Sequence, residues 1–325
     1  MSTTTRKAYQ GLFRKIVIAF DVGTTYSGAS YAVLDPGLPP MIEGVSKFPG
    51  QGKVGGDSKI PSIIYYDQEG KVRAVGAEAT EGSFLEEAED KEYIRVEWFK
   101  LHLRPTDLEK PSESQALVQI SDLPPLPPNK KPVDIFADFL GYLHKWTINF
   151  IKENRGEEFF SSVEHHIEYV LSHPNGWEGA QQAQMRQAAV SAGLVSADEA
   201  DSRLQFVTEG EASLHYCINK GVMRDVDEEG QKGFIIVDAG GGTIDVSAYK
   251  KSGSGRYEEI TKTQCKLKDS NYGTRQDIVQ MANVFDKTTK LSFRDEADTG
   301  YIHFGSPRDK DLSVGINRGQ LKIPG

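Results

Sequence analysis

The chain has 325 residues, with 38 basic and 47 acidic side chains, a formal net charge of −9 and 38% hydrophobic content. That length allows about two domains at the usual ~100–200 residues each. The acidic balance argues against a nucleic-acid partner bound through its phosphates, and no apolar run approaches the ~18–20 residues that span a bilayer, which argues against a membrane role. The start of the chain lacks an apolar signal-type stretch, and Cys217 and Cys265 are too few for a disulfide framework, so the chain reads as cytoplasmic.

Residues 1–13 are polar and predict a flexible N-terminus. Lys15-Ile16-Val17-Ile18-Ala19-Phe20 is a short, β-branched apolar run of the kind buried on both faces of a sheet. It stops at Asp21-Val22-Gly23-Thr24-Thr25, and apolar character returns up to Leu34, predicting a hairpin. Residues 35–56, with six glycines and four prolines, read as loop. Two short apolar runs, 62–66 and 72–75, flank a turn and predict a second hairpin, followed by an acidic helix over 77–90. The proline-rich stretch 121–132 fits a PxxP ligand or, more simply, a surface loop between helices. Ile135, Phe136, Phe139, Leu140, Leu143, Trp146 and Phe150 recur at helical spacing and predict one long helix with a buried face. Strands at 166–171, 204–208, 233–237 and 244–250 then alternate with helices at 178–192 and 209–219, which predicts an α/β fold with a sheet covered on both faces. A further strand is expected over 257–266.

One internal similarity carries the chemistry. IVIAFDVGTTYSGASYAV and FIIVDAGGGTIDVSAYK share an apolar strand, an aspartate at its end, Gly-x-Thr and a second strand. Gly23, Gly240, Gly241 and Gly242 let backbone N–H groups approach phosphate oxygens, and Thr24, Thr25 and Thr243 add hydroxyls. Asp21 and Asp238 would repel those phosphates unless a hard cation lay between, and Mg²⁺ favours one or two carboxylates together with phosphate oxygens. Either hairpin alone is a weak signal; the pair is more specific.

Phe20–Ser27 resembles the first phosphate motif of the actin, sugar-kinase and heat-shock ATPase superfamily, and the segment 237–246 resembles the second. The Thr-Thr-Tyr-Ser and Gly-Gly-Gly-Thr-Ile-Asp-Val wording is similar to the DnaK-type seventy-kilodalton heat-shock family, specifically a divergent fungal-type branch with an ATPase domain alone. That resemblance implies a two-lobed actin-like ATPase (ribonuclease H-like) fold, with a first lobe over 14–220 and a second over 221–325. It implies ATP and Mg²⁺ as ligands, with Asp21 and Asp238 holding the metal and Thr24, Thr25, Tyr26, Thr243 and the glycines of both turns around the nucleotide. It makes Lys100 the phosphate-contacting lysine and Glu209 the carboxylate that positions the attacking water, for hydrolysis without a covalent intermediate. Client proteins and co-chaperones are partners by the same resemblance, and a non-catalytic ATPase scaffold or interaction module is the alternative reading. Asp245 follows the second motif in either a functional or a structural role.

Other signals carry less. Gly50-Gln-Gly52-Lys-Val-Gly55 meets the dinucleotide pattern but neither follows a buried strand nor opens a helix. His165, His166 and His173 cluster around one strand without a cysteine, too little for zinc. Cys217 is expected as a small buried residue in a helix. Two departures from the resembled family stand out: a helical stretch looks missing near 266–270, and the chain ends without the later glycine-rich segment that packs on adenosine, so the second lobe is expected to be truncated and nucleotide binding weakened, about a thousandfold for ~4 kcal/mol of lost base and ribose contacts.

Overall fold

A computed structural model describes residues 6–53, 58–105, 123–221, 233–240, 243–252, 256–260, 264–267, 300–303, 316–318 and 320–323. In chain order the first part comprises β1 (Lys15–Val22), β2 (Tyr26–Leu34), β3 (Met41–Gly44), β4 (Lys59–Pro61), β5 (Ile63–Tyr66), β6 (Val72–Val75), α1 (Gly82–Asp90) and β7 (Ile94–Glu97). It continues with α2 (Pro132–Arg155), α3 (Glu157–Val163), β8 (Ile167–His173), α4 (Ala180–Ser191), α5 (Ala200–Arg203), β9 (Leu204–Thr208) and α6 (Glu209–Lys220). A last group contains β10 (Gly233–Ala239), β11 (Thr243–Lys251), β12 (Tyr257–Glu259) and β13 (Gln264–Leu267). All of these lie in one compact unit, Met1–Leu267; the second unit, Lys268–Gly325, contains an antiparallel sheet of β14 (Gly300–His303), β16 (Gln320–Ile323) and β15 (Ile316–Asn317), in that order.

The main sheet has the order β3-β2-β1-β8-β9, with β4 added to β2. β1 pairs antiparallel with β2 and parallel with β8, and β8 pairs parallel with β9, so the carboxyl ends of β1, β8 and β9 point the same way. In open α/β sheets that is the edge where ligands are bound. This is an α/β fold built on a mixed sheet, as the alternation of strands and helices predicts.

The helix expected over 133–153 spans 132–155. Pro132 sits in its first turn, where the missing N–H costs nothing, and Asp134 accepts from the Lys131 backbone N–H at 2.9 Å. Its predicted stripe is fully buried at Ile135, Phe136, Phe139, Leu140 and Leu143 and joins Ile16, Ile18 and Phe20 in one core. Burying each such side chain contributes about 2–3 kcal/mol. Phe99 packs its ring 5.2 Å from that of Phe139, which anchors a tight turn, Phe99–Leu103, against α2.

Several expectations change. Residues 35–56 are not all loop: β3 pairs Met41 with Val33 through to Gly44 with Ser30, an edge strand the glycine and proline content hid. β1 is not buried on both faces. Ile16, Ile18, Phe20 and Val22 are buried in the core that α2 shares, whereas Lys15, Val17, Ala19 and Asp21 on the other face are half-buried. His165 and His166 lie in an exposed turn before β8 rather than on the strand, and Cys217 is only half-buried. The strand over 257–266 is instead two short strands that both pair with β11. The expected gap near 266–270 falls largely outside the described residues.

His144 of α2 packs against Tyr169, with ring centroids 5.6 Å apart and Nε2 3.1 Å from the tyrosine oxygen. Burial pushes its pKa down to about 4, against ~6.5 in an unfolded chain. Its contribution to stability is present above about pH 6.5 and is lost as pH falls toward 4, because the unfolded state takes up a proton that the folded state refuses. The urea midpoint is therefore expected to drop between pH 7 and pH 5 by more in the wild-type chain than in His144→Gln; equal drops would exonerate His144.

Candidate functional site

Asp21 ends β1 on the half-buried face, and Ser172 stands beside it on the parallel strand β8. The serine hydroxyl donates to Asp21 Oδ1 at 3.0 Å. Lys59 Nζ donates to Asp21 Oδ2 at 2.7 Å. The Asp21 side chain is 42% exposed, so it faces solvent as well as its partners. Burial opposes its ionisation, but the Lys59 and Lys100 ammoniums and the bonds from Lys59 and Ser172 outweigh burial and hold the carboxyl below its ordinary range.

The turn after Asp21 is fixed from behind. Ser62 Oγ donates to the Gly23 carbonyl at 2.8 Å and lies 2.8 Å from Ser27 Oγ, while the Ser62 N–H donates to the Thr25 carbonyl. A Cβ on Gly23 would collide with the Tyr26 carbonyl oxygen, so the tight turn requires glycine there. Thr24 is buried, and Thr25 and Tyr26 are half-buried beside it.

Lys100 is carried by the turn that Phe99 anchors and is almost fully buried. Its Nζ donates to Glu209 Oε1 at 2.6 Å and lies 5.8 Å from the centre of the Trp177 ring. Glu209 is the first residue of α6, where Thr208 accepts from the Glu211 N–H at 3.1 Å and caps the helix. Burial, with the nearby Asp21 and Asp245 charges, raises the Glu209 pKa despite the opposing Lys100. Two residues that the resemblance named separately are thus one buried ion pair.

The second hairpin repeats the register of the first. Asp21 pairs with Gly28 and Asp238 with Asp245, in each case the residue seven positions on. Asp238 is half-buried, and its charge, with those of Asp21 and Glu209, acts on Lys59. Asp245 is buried and accepts from the Asn175 backbone N–H at 2.8 Å, while Asn175 Nδ2 donates to Ser247 Oγ at 2.9 Å. These bonds tie the loop after β8 to β11. Gly240 is half-buried, Gly241 and Gly242 lie outside the described residues, and Thr243 opens β11.

Sequence reasoning missed Lys59, Ser172 and Trp177. Each is an ordinary residue locally and acquires meaning only through strand pairing or packing across the chain.

Removing one partner of a buried ion pair leaves the other charge stranded, at a cost of about 3–5 kcal/mol. Lys100→Met should therefore destabilise the chain by about that much in urea unfolding at pH 8, with adding Glu209→Gln restoring a large part. A double variant no more stable than Lys100→Met would contradict this account of the pair.

No protein-family model matches the chain. Among curated proteins it is similar to human heat shock 70 kDa protein 12A, 29% identical over 204 residues, which is 62% of this chain and 28% of the relative. Mouse heat shock 70 kDa protein 12A is 24% identical over 299 residues, covering 76% of this chain and 42% of the relative, and human 12B is 26% identical over 204 residues. The chain spans less than half the length of these relatives. The similarity supports the actin-like ATPase superfamily, on the 12A and 12B side, and does not extend to a DnaK-type fungal branch.

Proposed function

We propose that this chain is a nucleotide-binding ATPase domain of heat-shock type that takes Mg-ATP between the turns 23–25 and 240–243. The observation that supports it is the convergence of Asp21, Lys59, Lys100 and Glu209, from four separate segments, at the carboxyl ends of β1 and β8. Gathering charges of both signs in one place, with Lys100 and Glu209 largely out of water, carries an electrostatic cost, and such clusters mark functional sites.

The donor set fits a hydrated Mg²⁺. Asp21 and Asp238 are carboxylates that are neither fully buried nor remote from one another's cation, and this ion keeps several waters while using one or two carboxylates. When bound it would supply charge neutralisation on the phosphates. The chain's own groups do the rest. Backbone N–H groups of the turns and the hydroxyls of Thr24, Thr25 and Thr243 bind phosphate oxygens, with Tyr26 beside them. Lys100, drawn toward the terminal phosphate, would release Glu209 to accept a hydrogen bond from the attacking water and orient it. Phosphoryl transfer needs little beyond such positioning and charge.

A second reading, binding without turnover, is favoured by the 2.6 Å bond that ties Glu209 to Lys100. The heat-shock description belongs to the relatives; clients, co-chaperones and a cytoplasmic location for this chain are part of the proposal.

Isothermal titration with ATP and Mg²⁺ should give saturable heat, and the same ligands should raise the unfolding midpoint. Silence at millimolar nucleotide would overturn the reading. If turnover accompanies binding, Asp238→Asn should cut γ-phosphate release by at least about tenfold, the effect of losing ~1.4 kcal/mol of transition-state stabilisation. Tight binding with no phosphate release would favour the scaffold instead.

A further inference from the structure

The three-strand row through Asp21 is built around a missing side chain. Asp21 of β1 pairs with Gly28 of β2, and Gly28 pairs with Lys59 of β4. Side chains directly opposite on paired strands stand side by side, so any ordinary residue at position 28 would separate the two charges. Glycine leaves the lane open. The Lys59 stem lies across it, with Cγ 3.3 Å from where a Gly28 Cβ would be, and the ammonium reaches Asp21 Oδ2 at 2.7 Å. The same ammonium is within the field of Asp238 and Glu209.

We propose that Lys59 is a resident cation of this site: it competes with a divalent metal for Asp21 and supplies positive charge to a bound polyphosphate independently of metal. A carboxylate oxygen already accepting a short ammonium bond is a poorer ligand for a hard cation, and a metal approaching Asp21 meets like charge on Lys59. Once a polyphosphate arrives, the flexible lysine stem can turn the same ammonium from the carboxylate to a phosphate oxygen. The polyphosphate part rests on the nucleotide reading above; the competition for Asp21 does not.

The experiment separates the two. Mn²⁺ alone, followed by electron paramagnetic resonance, is titrated into the wild-type chain, Lys59→Met, Lys59→Arg and the double variant Lys59→Met/Asp21→Asn. Lys59→Met should bind Mn²⁺ about five- to tenfold more tightly than wild type, as expected for removing one nearby, partly screened charge. Lys59→Arg should stay near wild type, and the double variant should lose the gain. Lys59→Met binding no more tightly than wild type, including no detectable binding by either, overturns the proposal. In a second arm, chelating metal should cost Lys59→Met about tenfold more ADP affinity than it costs wild type, the ratio that ~1.4 kcal/mol represents; an equal cost in both refutes the phosphate role. Failure of wild type to bind ADP under any condition sinks the nucleotide reading and the phosphate role together, while the Mn²⁺ titration still decides the competition for Asp21. Lys59 is more than half exposed, and the unfolding midpoint of each variant verifies that it folds.

Discussion

Everything at this site depends on keeping Asp21 charged at the end of a strand whose other face is core. A carboxylate there must be compensated, and compensation comes from three directions: Lys59 across the glycine lane, Ser172 from the neighbouring parallel strand, and the Lys100 charge from beyond it. Each partner arrives on a different segment, so the ionised state of one side chain reads out whether β1, β4, β8 and the Lys100 turn are all in place. Burial pulls against ionisation, and the cations prevail.

The core serves that arrangement from behind. Long helix α2 packs its apolar stripe on Ile16, Ile18 and Phe20 and grips Phe99, which sets the turn that carries Lys100. Packing of this kind is rigid to within small displacements, so a buried ammonium can be held 2.6 Å from Glu209 across more than a hundred residues of sequence. On the opposite side, the Asn175 bonds to Asp245 and Ser247 couple the loop after β8 to the second hairpin. Two hairpins of the same register are thus linked through the loop that follows β8.

The similarity to the 12A and 12B heat-shock proteins fits that geometry at the level of superfamily and fold. Both ammoniums at the site, Lys59 and Lys100, are held on carboxylates, and on the nucleotide reading proposed above each would have to exchange that partner for phosphate.

The amino-acid sequence by itself determined most of the elements and the two aspartate turns. Apolar periodicity marks the stripe of α2 and the hairpin strands, since burial imposes a period of 3.6 or 2 on local sequence. It also marked Asp21 and Asp238 through their shared neighbours. What it could not carry was partnership. A run such as Ile16–Ala19 looks equally apolar on both faces, and only the packing of α2 decided which face was core and which carried the site. Glycine content hid β3 because edge pairing follows from a neighbour rather than from propensity. The Lys100–Glu209 pair and the Asp21-Gly28-Lys59 row were decided only in three dimensions, because charges interact through distance in space, which sequence separation does not encode.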